Sequence, residues 1–185
     1  MSQPALTRIL DRRRFLALGA MAACALGSAP ALAHALGAGA RSLSFRHLHT
    51  DERLTATYWA DGTYLGEALA RIDRLLRDFR TDEVKAIDRR LLDLLNLLER
   101  KMESRAPFEV ISGYRSPATN AALAEAGHGV ASKSLHLRGM AIDIRLPGRR
   151  LEDLHRAALA LRGGGVGYYP ATDFVHVDVG RVRFW

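Results

Sequence analysis

The chain has almost no cysteine. One residue, Cys24, serves 185 positions, and it lies in an apolar N-terminal stretch. The remainder can form no internal disulfide and no thiolate metal site. Any metal must be held by His, Asp or Glu, ligand types that suit hydrolytic zinc. Internal repeats are lacking, as are RNA-binding and zinc-finger motifs. The net charge is +7, but basic residues such as Arg71, Arg74, Arg77, Arg80, Arg89 and Arg90 are interleaved with acids. That pattern describes a solvated helix face, not a nucleic-acid surface.

The charge is unevenly distributed. Residues 1–34 hold four arginines and one aspartate, three of the seven net positive charges, which leaves four for the rest. Asp11-Arg-Arg-Arg-Phe-Leu16 is followed by an apolar, small-residue run and by Ala31-Leu-Ala33. A basic region, an apolar region and an A-x-A site make a secretory signal, cleaved near residue 34. Arg12-Arg13 with Phe15-Leu16 resembles a twin-arginine export signal. A retained anchor, or lipidation at Cys24, stays open beside that reading. All three place the working domain, residues 35–185, outside the cytoplasm, in the periplasm if the signal is cleaved. A mildly basic protein there is drawn to anionic polymers.

The mature stretch, at about 150 residues, is long enough for one self-supporting core. From Ser42 to Trp59 apolar and polar residues alternate about a turn at Thr50–Arg53, which predicts a hairpin. Residues 65–80 and 83–103 predict two helices, the second with Val84, Ile87, Leu91, Leu92, Leu94, Leu95 and Leu98 at threes and fours and Thr81 before its first turn. Phe108–Ser112 reads as a strand, Ala118–Ala126 as a short helix and 127–135 as a loop containing His128. A strand over Ala141–Leu146, a helix over Leu151–Leu161, a glycine break at 163–165, and strands over Val166–Tyr169 and Phe174–Val179 complete the pattern. Helices first and strands later imply an α+β fold with helices packed on one sheet.

Strand parity locates the chemistry. Side chains two apart share a face. Val175, Val177 and Val179 form one face of the last strand, and His176 and Asp178 the other. Ile142 and Ile144 likewise oppose Asp143. Charge on a core strand is costly unless paired or bound to metal. His136 precedes Asp143 by seven residues, with Gly139 free to turn the backbone between them. Two imidazoles and one carboxylate make a hydrolytic zinc set with a fourth position for water. Such sets also arise by accident, and spacing alone leaves ordinary core or surface roles open.

The segment Ser134-x-His136-x-x-Gly139-x-Ala141-x-Asp143, with His176 on a later strand, resembles the zinc motif of the D-Ala-D-Ala metallopeptidases. These are grouped with lysostaphin-type peptidases and hedgehog around one zinc core. Ser112-Gly-Tyr-Arg-Ser116 also fits. Gly165–Pro170 and Phe174–Asp178 are most similar to the exported murein endopeptidase K subgroup. The resemblance spans about residues 40–185. It implies a hedgehog/DD-peptidase-like fold, an antiparallel sheet with helices on one side and Zn2+ in a cleft. It implies His136, Asp143 and His176 as ligands, and Arg115 as the residue that contacts substrate and polarises its carbonyl. Ser134 either hydrogen-bonds substrate or shapes its loop.

Many of these peptidases carry a Glu base three residues before the last ligand His. Here that position is Asp173. Asp178 is its rival, on His176's own face about 7 Å along the strand. Family spacing favours Asp173 and parity favours Asp178, and the reading leans to Asp178. Either can instead orient a ligand imidazole. His47, His49 and His155 lie outside the motif. Tyr168, Tyr169 and Trp185 fit a cleft lining or core packing equally. The implied function is a monomeric periplasmic zinc peptidase acting on peptidoglycan stem peptides or cross-links, with no nucleic-acid partner and no stable membrane insertion once the signal is removed. A D-Ala-D-Ala-type carboxypeptidase and a non-catalytic zinc-stabilised wall-binding module are the alternatives.

Overall fold

The computed structural model describes residues 39–127 and 131–185. The expected signal segment and His128 lie outside the described residues. No helix among those described is long and apolar enough to cross a membrane.

Eight strands form one sheet: β1 (Arg41–His47), β2 (Arg53–Ala60), β3 (Thr63–Tyr64), β4 (Phe108–Ser112), β5 (Ala141–Arg145), β6 (Gly165–Tyr169), β7 (Phe174–Asp178) and β8 (Arg183–Phe184). Their spatial order is β3-β2-β1-β4-β5-β7-β6-β8. Most pairs are antiparallel, but β1/β4 and β6/β8 run parallel, so the sheet is mixed. The sheet is thus mostly antiparallel, as the resemblance implies, with two parallel pairs added. The helices among the described residues are α1 (Gly66–Leu75), α2 (Arg89–Lys101), α3 (Pro117–Glu125) and α4 (Leu151–Leu161).

The apolar face of the sheet follows the alternation in the sequence. Leu43, Phe45, Ala56, Tyr58, Phe108, Val110, Ile142, Ile144, Val175 and Val177 are buried. They join Ile72, Leu91, Leu92, Leu95, Leu98 and Leu154 from the helices in one core. Helices therefore cover one face, and the other carries Arg46, Glu109, Arg145, Asp143 and His176. Truncating a fully buried leucine such as Leu95 to alanine costs about 2–5 kcal/mol.

Two helix boundaries differ from expectation for local reasons. The second helix starts at Arg89, not residue 83. Asp88 is its N-cap, accepting from Arg90 N at 2.9 Å. Upstream, tertiary bonds take the backbone: Ile87 N donates to Asp73 Oδ1 and Asp88 N to Gly139 O, both at 2.9 Å. Val84, expected in the apolar stripe, is half exposed. Thr81 accepts from Glu83 N in a turn rather than capping a helix. The first helix stops at Leu75: Leu76 O accepts from Tyr114 N, and Asp78 accepts from Arg80 N and Ser116 N, which ties this stretch to the segment after β4.

Candidate metal centre

The site sits on the open face of the sheet, where β5 and β7 are neighbours. Asp143 and His176 are register partners. His136 comes from a short 3-10 turn, Leu135–Arg138, just before β5. Ser134 caps that turn by accepting from His136 N at 3.4 Å. Gly139 ends it with φ at 64°, and a Cβ there would lie 2.5 Å from Ala86 O. Only glycine fits both demands.

The three candidate ligand atoms converge. His176 Nδ1 is 2.8 Å from Asp143 Oδ1 and 3.2 Å from His136 Nε2. His136 Nε2 is 3.3 Å from Asp143 Oδ1. Each imidazole is held by its other nitrogen. His136 Nδ1 is 2.7 Å from Gly113 O. A carbonyl only accepts, so Nδ1 carries the proton and Nε2 offers its lone pair to the site. His176 Nε2 is 3.1 Å from Asp178 Oδ2, which places Nδ1 toward the other two. Among the described residues this is the one group whose ligand atoms cluster tightly enough to hold a metal. The donor set, its burial and the fixed outer nitrogens fit a zinc ion.

Electrostatics agree with that fit. Burial disfavours charge on His136 and lowers its pKa despite Asp143 nearby. Burial alone would raise Asp143, but the charges and hydrogen bonds of His136 and His176 outweigh it and hold the carboxyl well below its usual range. Arg115 adds to this anchoring, with Nη2 donating to Asp143 Oδ2 at 2.5 Å and Nε to Ser112 Oγ at 2.9 Å.

A cleft of about 270 Å³ opens over the group. Arg115, Ser134, His136, Asp143 and His176 line it, as the sequence suggests, and Tyr169 and Trp185 form a wall. Tyr168 turns to the helix side, stacked on His155 at 4.7 Å. Lys133, Phe174 and Arg183 also line the cleft and escape the sequence reading. Arg183 stands beside Arg181 in a basic run, and nothing in that spacing distinguishes the two. The parallel pairing of β8 with β6 does so.

The two candidate bases occupy different surroundings. Asp178 is wholly buried and filled by donors. Burial alone would raise its pKa, yet hydrogen bonds from His176, Arg183 and the Gly180 and Gly165 amides keep it low. Asp173 follows the Pro170–Thr172 turn with φ at 53°, and its side chain is 60% exposed. Arg145, on the same sheet face as Asp143, donates to Asp173 Oδ2 at 2.9 Å. Asp173 stands outside the lining of the cleft itself, beside an adjoining depression.

The family described as peptidoglycan L,D-endopeptidase MepK matches residues 35–185. The chain belongs to this family. Its relatives include the peptidoglycan L,D-endopeptidase MepK of Escherichia coli K12, 41% identical over 176 residues, covering 95% of this chain and 97% of the relative. The probable peptidoglycan L,D-endopeptidase MepK of Haemophilus influenzae is 38% identical over 177 residues, covering 95% of each chain. The match spans every described residue, including His136, Asp143 and His176.

Proposed function

We propose that this chain is an exported zinc peptidase that hydrolyses peptide bonds in peptidoglycan, as an L,D-endopeptidase. The observation that carries the reading is the convergence of His136 Nε2, Asp143 Oδ1 and His176 Nδ1 at the floor of an open cleft. The relatives, named as L,D-endopeptidases over nearly their full length, favour this over a carboxypeptidase or a binding module. The N-terminal 34 residues supply the export signal, by the twin-arginine route, and the domain works in the periplasm as a monomer.

His136, Asp143 and His176 would hold the metal. Zinc bound there supplies a Lewis acid and lowers the pKa of its water to about 7. The protein's residues do the rest. Arg115, pinned by Ser112 and Asp143, presents a fixed cation beside the scissile carbonyl, where negative charge develops. Ser134 and the Tyr169 and Trp185 wall position the peptide. Asp178 is committed to His176 Nε2, on the ring edge away from the other ligands, so its role is to hold that ring. Asp173 is the better proton acceptor. It lies three residues before His176, and Arg145 keeps it over the same sheet face.

The test is digestion of purified muropeptides by the secreted domain, with and without chelator. Zinc-restored cleavage of cross-linked peptides is the expected result. Stoichiometric zinc with no cleavage of any cross-linked or carboxyl-terminal substrate would leave only a binding module.

A further inference from the structure

We propose that Arg183 is a positioning residue which, through Asp178, fixes the His176 ring so that Nδ1 faces the metal. The inference rests on the zinc reading above and adds two residues beyond the ligand set.

Asp178 carries a complete shell of donors. Its Oδ1 accepts from Gly165 N at 3.0 Å, Gly180 N at 2.8 Å and Arg183 Nη1 at 3.1 Å. Its Oδ2 accepts from Arg183 Nη2 at 2.6 Å and lies 3.1 Å from His176 Nε2. An ionised carboxylate only accepts, so the proton on that edge of the imidazole belongs to Nε2. Metal can then bind only through Nδ1. The Arg183 fork meets both carboxylate oxygens, a geometry that a lysine ammonium lacks.

The surroundings are built to seat this pair. A Cβ on Gly165 would lie 2.4 Å from both Arg183 Nη1 and Asp178 Oδ2. A Cβ on Gly164 would lie 1.8 Å from Asp178 O. Gly165, in a glycine run that in sequence ends a helix, thus clears the space in which arginine and carboxylate meet, and Gly164 clears the Asp178 main chain. On its other side the guanidinium lies 4.9 Å from the Trp185 ring centroid. That indole is 5.3 Å from the His176 ring and donates through Nε1 to Tyr169 Oη at 2.7 Å. The C-terminal segment Arg183–Trp185 therefore sets Arg183 against Asp178 and Trp185 against the His176 ring. Buried charge is compensated as well: Arg183 answers Asp178 as Arg115 answers Asp143.

The experiment compares wild type with Arg183→Gln, Arg183→Lys and Asp178→Asn. Zinc affinity is measured by chelator competition. Nitrogen-15 spectra of the zinc-loaded protein read which ring atom binds. Wild type should show His176 metallated at Nδ1 with a protected proton on Nε2. Arg183→Gln and Asp178→Asn should each weaken zinc binding about 10- to 100-fold. Arg183→Lys, which keeps the charge and serves if the glutamine variant does not fold, should recover only part of that loss. Wild-type zinc affinity and an unchanged ring spectrum in either folded Arg183 variant would overturn the inference while leaving the peptidase reading intact. A wild-type protein that takes up no zinc would overturn both. Weakened zinc binding in a protein that cleaves no peptidoglycan would support the positioning role and remove only the proposed activity.

Discussion

Asp143 and His176 stand directly opposite each other on β5 and β7, with Asp143 Oδ1 2.8 Å from His176 Nδ1. Direct cross-strand partners hold their Cβ atoms about 4.5–5.5 Å apart. Two of the three proposed ligands are thus set by the backbone of paired core strands, whose opposite faces are packed valine and isoleucine. Neither can drift without breaking the ladder. His136 alone comes from a turn, and Gly113 O, Gly139 and the Ser134 cap restrain it. Rigid elements thus hold the three donors together by the protein's own contacts.

Metal should therefore stabilise the fold without creating it. Zinc at one hundred times its dissociation constant adds about 2.7 kcal/mol to the folded state. For a domain of this size that raises the unfolding temperature by about 5–10 °C. Chelator should reverse the rise and abolish cleavage. His136→Ala should remove both effects while the metal-free protein still unfolds cooperatively. An unfolding temperature insensitive to zinc in the wild type would contradict the assigned ligands.

Replacing Asp173 separates proton transfer from metal binding. Asp173→Asn should lower kcat about 10²- to 10⁴-fold, the usual contribution of a general base. Zinc content should stay at that of the wild type, since the Asp173 carboxylate is paired with Arg145 and belongs to none of the three proposed ligands. Arg145→Gln should have a smaller effect, because it frees the carboxylate without removing it. Near-normal kcat in Asp173→Asn would eliminate this base.

Much of this was legible in the sequence because it depends on period-two patterning. The alternation in Phe174–Asp178 and Ala141–Arg145 names the buried and polar faces in advance, and the hairpin of β1 and β2 follows from the same rule. What escaped depends on contacts distant in sequence. Residues 83–88 have helical periodicity, but Asp73 and Gly139 capture their amides, and the helix waits for the Asp88 cap. The two-residue strands β3 and β8 are too short to show a period. Parity correctly put Asp178 on the face of His176. It could not tell a free carboxylate from one sealed by Arg183, because β8 supplies that partner from beyond the strand.

The polar cluster at Asp93 is a further buried charge whose removal should be costly. Its carboxylate accepts from Tyr58 Oη at 3.0 Å, Tyr64 Oη at 2.6 Å and Arg41 Nη1 at 3.0 Å, tying α2 to β1, β2 and β3. Asp93→Ala leaves a buried guanidinium uncompensated and the Tyr58 hydroxyl with only Leu92 O. The expected loss is about 3–5 kcal/mol, read from urea unfolding. Zinc affinity should be unchanged, as no residue of this cluster lines the cleft. A loss under 1 kcal/mol would show that the cluster is far more hydrated than its burial implies.

His47 should make stability depend on pH in a defined window. It is fully buried at the end of β1, where burial is the main cause lowering its pKa to about 4, with His49 and Arg77 adding to it against Glu52. Its Nδ1 accepts from His49 N at 3.2 Å, and its ring meets Phe79 edge-on at 5.4 Å. The unfolded chain takes up this proton near pH 6.5 and the folded chain only near pH 4. Stability is therefore undiminished above about pH 6.5 and falls as pH drops through the window, by up to about 3 kcal/mol from this group. Burial lowers His136 as well, so the comparison with His47→Phe isolates the effect of His47. That variant keeps a flat ring against Phe79 but carries no proton. Its urea-unfolding free energy should decline less steeply between pH 7 and pH 4.5 than that of the wild type. Parallel declines would mean that His47 titrates normally in the folded protein.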